Sequence, residues 1–99
     1  MQVELLYVKD CPNWQSADRR LRELATSLGF AVRRRVVASP EEAEACGMRG
    51  SPTILVDGVD PFARGDEPPP LSCRLYQTPE GPAGVPTVEQ LRSALVVRP

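Results

Sequence analysis

Histidine is absent from the 99-residue chain, which removes Ser-His-Asp and Cys-His catalysis and every zinc site built on imidazole. Aromatic residues are scarce: Tyr7, Trp14, Phe30, Phe62 and Tyr76 are too few and too scattered for a base-stacking platform. Neither sign of charge dominates. With 12 basic and 13 acidic residues the formal net charge is -1, so no overall field draws the chain to phosphate backbones or anionic lipid, and neither nucleic acid nor membrane is an expected partner. No apolar run approaches the length of a membrane span. GxGxxG and Walker-type loops are missing, so no phosphate-bearing cofactor is expected. The opening MQVELLYVKD lacks the basic and long apolar regions of a secretory signal. Cytoplasmic location is the resulting expectation. There the three cysteines read as thiols, and their odd number leaves at least one unpaired in a monomer.

What is present suits one folded domain over residues 1–99, since hydrophobic residues make up 41% and charged ones 25%, near the soluble average. VELLYV at 3–8 is apolar on both alternating faces apart from Glu4 and reads as a buried strand. Trp14, Ala17, Leu21, Leu24, Ala25 and Leu28 then recur at helical spacing, with Gly29 as the stop. AVRRRVV at 31–37 reads as a second strand whose arginines mark an exposed sheet edge. Ser39, Pro40 and Glu42 supply cap, first-turn proline and capping-box acid for a short helix from about 40 to 46. TILV at 53–56 is a third strand, after which Asp57-Gly58 opens a long loop to Pro70 that is either a lid or a plain connection. LSCRLY at 71–76 reads as a fourth strand with Leu71, Cys73 and Leu75 on one face. A Pro- and Gly-rich connection leads to a last helix, capped by Thr87 and Gln90 and striped by Val88, Leu91 and Leu95. The order β-α-β-α-β-β-α predicts a layered α/β domain.

Chemistry concentrates at Cys11, placed between the first strand and the first turn of the long helix. Unpaired amides and the helix dipole favour an anion at such a place, and thiolate is the reactive form of cysteine. Pro12 suits the opening of a helix. Strand, Cys11-Pro12, this element order and GMRGSPTILVDG together resemble the thioredoxin-fold superfamily, over nearly the whole chain. The resemblance implies a four-stranded mixed sheet flanked by helices and a cis bond at Pro52 beside the Cys11 sulfur. It also implies a substrate surface of Pro12, Trp14, Ser51, Pro52 and Thr53, with the Ser51 main chain offering strand-like hydrogen bonds to a thiol substrate. The second cysteine of the family's CxxC is Trp14 in this chain. Release of a mixed disulfide then falls to Cys46, to Cys73 or to an external thiol, although Cys46 and Cys73 also suit simple packing as small apolar residues. The expected activity is thiol–disulfide exchange with Cys11 as nucleophile and a protein or small-molecule disulfide as partner. A non-catalytic binding module is the alternative. LSCRLYQTPEGPAGVPTVEQL is in addition similar to the C-terminal part of organomercurial lyase. That likeness implies a soft-metal role for Cys73; Cys11 as the second cysteine and Asp10 as the acid have no matching motif, and mercury or Cu(I) would be held by Cys11 with Cys73 or Cys46, thiols that lack CxxC spacing.

Overall fold

The computed structural model describes residues 1–96. Its elements are β1 (Gln2–Tyr7), α1 (Trp14–Leu28), β2 (Ala31–Val36), α2 (Pro40–Cys46), β3 (Thr53–Val56), β4 (Tyr76–Thr78), β5 (Gly81–Ala83) and α3 (Val88–Val96), giving a mixed α/β chain. β1 lies between two neighbours. It runs parallel to β2, from Gln2 beside Ala31 to Tyr7 beside Val36, and antiparallel to β3, from Val3 beside Val56 to Leu6 beside Thr53. A parallel pair needs a crossover, and α1 provides it.

Alternation along the strands sends apolar residues to both faces of this sheet. Val3, Leu5, Ile54 and Val56 meet Ala17, Leu21 and Leu24 of α1 and Leu91 and Leu95 of α3. Leu6 and Leu55 point the other way, onto Val37, Ala43 and Met48 around α2. Each fully buried Leu or Ile contributes about 1.5–3 kcal/mol, so the two small cores hold the layers together. The short helices depend on their caps. In α2 the Glu42 N–H donates to Ser39 Oγ at 3.1 Å, and α3 closes a reciprocal box between Thr87 and Gln90 at 2.9 and 3.0 Å.

The sheet has three strands, not the expected four, and β4 pairs with β5 in a separate two-stranded unit. Residues 71–75 add no strand to the sheet: Cys73 makes one isolated parallel bridge, to Ser51 just before β3, and Leu71 packs on the Leu6–Leu55 core. The expected inward face is also reversed: Arg74 and Tyr76 are buried, Cys73 is exposed, and Leu75 is 66% exposed. Arg74 turns inward because Asp60 meets its guanidinium at 2.7 Å, with both side chains almost fully covered. An apolar pattern yields to a matched buried charge. β5 falls inside the stretch read as a connection, its Pro82 tolerated in a short strand lacking a second neighbour. At the other end of the chain α1 begins at Trp14, three residues after Cys11. Asn13 caps it without a side-chain hydrogen bond, its amide packed so closely on Gly84 that a Cβ there would come within 2.3 Å.

Candidate functional site

The loop from β1 to α1 folds back on itself, with the Cys11 N–H bonded to the Val8 carbonyl at 3.0 Å. Val8 N–H in turn donates to Ser51 Oγ at 3.0 Å, which ties this loop to the Ser51–Pro52 turn, whose peptide bond is cis. Cys11 is 8% exposed, and its S–H donates to the Ser51 carbonyl at 3.6 Å. The sequence places Cys11 at the first turn of the long helix; in the structure it precedes Trp14, the first residue of α1, and its sulfur faces a carbonyl.

The neighbouring candidates serve this turn from within. Thr53 Oγ1 donates to the Gly50 carbonyl and accepts from the Arg49 N–H at 3.0 Å, fixing the approach to Pro52. Trp14 stacks on Tyr7 with ring centres 4.2 Å apart, which pins the start of α1 to β1, and Pro12 is exposed beside it. The Ser51 main chain, expected to be free for a substrate, is already paired within the chain. Ser51 N–H donates to the Ser72 carbonyl at 2.7 Å, and the Ser51 carbonyl accepts from Arg74 N–H at 3.0 Å. Gly50 N–H adds a bond to the Pro70 carbonyl at 3.1 Å. Only glycine allows this approach: at φ +95°, a Cβ on Gly50 would lie 2.9 Å from Arg74 Cβ.

Among the three free cysteines the surroundings differ sharply. Cys46 is half-buried at the end of α2, donates to the Ala43 carbonyl at 3.7 Å, and packs on the Leu6–Val37 core. Cys73 is exposed and stands opposite Ser51, whose carbonyl holds the Cys11 thiol. Ser51 is thus bonded to the Cys11 thiol through its carbonyl and bridged to the Cys73 main chain, while Cys46 lies in the α2 packing.

Sequence reasoning overlooked the groups beneath this junction. Arg74 lies 4.5 Å over the Tyr76 ring, and Phe62 meets that ring edge-on at 5.5 Å. Tyr76 Oη donates to the Pro52 carbonyl. Burial drives the Tyr76 phenol far above its usual ionisation range; nearby Arg74 opposes this, while Asp60, Cys11 and Glu67 add to it. It thus stays a donor. Glu67 is held below the usual carboxylate range chiefly by the Arg64 N–H, with the Gly65 N–H and Arg74 assisting. Only the contrast between a polar pattern and a burial-prone tyrosine at 74–76 hinted at this cluster. The 61–67 loop and residues 73–77 enclose a cleft of about 520 Å³. Asp10, the acid in the soft-metal reading, is exposed, and no group of three or more Cys, Asp or Glu side chains among the described residues is placed to hold a metal ion.

Compared with known protein families, curated proteins and solved structures, the chain matches none.

Proposed function

We propose that the protein carries out thiol–disulfide exchange through Cys11 and Cys73, on an architecture of the thioredoxin type. The supporting observation is the Ser51 carbonyl. That one oxygen receives the Cys11 S–H at 3.6 Å and the Arg74 N–H at 3.0 Å, the latter from the peptide group that Cys73 begins. The carbonyl that holds the Cys11 thiol belongs to the residue that Cys73 opposes across the bridge, which supports an intramolecular exchange in which one sulfur reaches the other in line.

Exposure supports Cys73 as the first attacker, where the sequence suggests Cys11. Cys73 meets solvent, whereas Cys11 is nearly covered and its S–H is engaged. The Cys73 thiolate attacks one sulfur of a substrate disulfide and forms a mixed disulfide, while the second substrate sulfur leaves with the bond's electron pair. Cys11 then gives its proton to solvent and attacks the Cys73 sulfur. The remaining substrate half departs as a thiolate, and a Cys11–Cys73 disulfide closes. The substrate gains two electrons and the cysteine pair loses two; an external dithiol reverses the steps.

Peptide mapping after mild oxidation is the test. The expected product holds one internal bond, Cys11–Cys73, with Cys46 still open to alkylation, and Cys11→Ser is expected to halt at a mixed disulfide on Cys73. A bond that includes Cys46, or no internal bond, would overturn the reading.

A further inference from the structure

Residues 72–75 present two edges. The Ser72 carbonyl and Arg74 N–H turn toward Ser51. Main-chain groups alternate sides along an extended segment, so those of Cys73 and Leu75 turn away from it, and among the described residues they have no hydrogen-bond partner. Cys73 and Leu75 both line the 520 Å³ cleft, a volume within the range of about 300–1,000 Å³ typical of ligand sites. Phe62, Arg64 and Asp66 line it as well. The Arg64 guanidinium and Asp66 carboxylate make no ion pair or hydrogen bond among the described residues, so the lining can meet charge of either sign.

From these features we infer that the cleft receives an extended peptide segment of a partner protein, added as a strand along Cys73 and Leu75 and carrying the disulfide that Cys73 attacks. The inference rests on the reading of Cys73 as the attacking thiol. An unpaired edge with donors and acceptors two residues apart is matched by a peptide main chain, which presents the same repeat. Directly opposed residues on paired strands have Cβ atoms about 4.5–5.5 Å apart, and a disulfide draws Cβ atoms to about 3.5–4.5 Å. Strand addition therefore delivers a cysteine to Cys73 with only a short closing movement. Leu75, on the same face two residues on, is 66% exposed and lacks a cover. An apolar side chain two positions from the partner's cysteine supplies one. The new bond forms between Cys73 and the peptide sulfur, and the peptide's former disulfide partner leaves as a thiolate.

The probe is a capped pentapeptide with a central cysteine held as a mixed disulfide with thionitrobenzoate and valine two positions to either side. Stopped-flow release of thionitrobenzoate by the reduced full chain compares it with the same mixed disulfide of free cysteine. An advantage of about tenfold is expected, the effect of two main-chain hydrogen bonds at their usual net strength. N-methylation of the peptide's pairing amides is expected to remove most of it, and replacing the valines by serine to reduce it. Equal rates for peptide and free cysteine, or an advantage that survives N-methylation, would overturn strand addition. The same ranking is expected in Cys11→Ser. A peptide advantage there, with no Cys11–Cys73 bond in the wild-type chain, would sink the exchange reading and leave the cleft standing. Formation of that bond without any peptide advantage would do the reverse.

Discussion

Tyr76 concentrates three interactions in one side chain: a hydrogen bond to the Pro52 carbonyl, an Arg74 guanidinium over its ring and the edge of Phe62. Tyr76→Phe keeps the ring and leaves the Pro52 carbonyl without its donor, so urea denaturation at neutral pH is expected to show a loss of about 1–3 kcal/mol. Alkali supplies a second readout. The folded chain holds the phenolic proton more tightly than the unfolded chain, so the contribution of Tyr76 is complete below its ordinary value of 10.0 and is lost as pH rises above it. Between pH 8 and 11 the wild-type chain is expected to lose more stability than Tyr76→Phe. Parallel decline of the two would show that the phenol is not held in this way.

At the scale of elements, the segment over Ser51 stays in place through a buried ion pair as well as through main-chain bonds. Asp60→Ala leaves the Arg74 guanidinium covered and uncompensated, with an expected loss of about 3–5 kcal/mol. Replacing both partners together, by Asp60→Leu with Arg74→Met, is expected to restore most of that stability; denaturation midpoints of the three proteins decide. This pair also marks where sequence reading stops. The stripe of α1 and the caps of α2 and α3 were legible because their determinants lie within a few residues of one another. The face of 71–76 was misread because the partner of Arg74 lies fourteen residues back, on a loop with no periodic signal. Asp18 is a similar case, buried in α1 by Arg34 of β2 at 2.6 Å. For the candidate site, Cys11 stood out by residue type and position and the Ser51–Pro52 turn through the resemblance to the thioredoxin fold, whereas the pairing of Ser51 with 72–74 had no local signature.

For the whole molecule, the exposed β2 edge bears on association. β2 has a sheet neighbour only on its β1 side, and Arg33 and Arg35 are exposed and make no ion pair among the described residues. Charge on an outer strand keeps other chains from adding to it. Arg33→Val with Arg35→Val is expected to give concentration-dependent self-association in sedimentation velocity, under conditions where the wild-type chain shows none. The Ser51 carbonyl has a different reach. Its oxygen offers two lone pairs to two donors, and a sulfur committed to a disulfide no longer has a hydrogen to give. Oxidation under the proposed chemistry then withdraws one tether from the place where residues 72–74 are moored. Thermodynamic reciprocity makes the relation run both ways: whatever free energy oxidation takes from that mooring, slack in the mooring returns as a bias toward the oxidised pair.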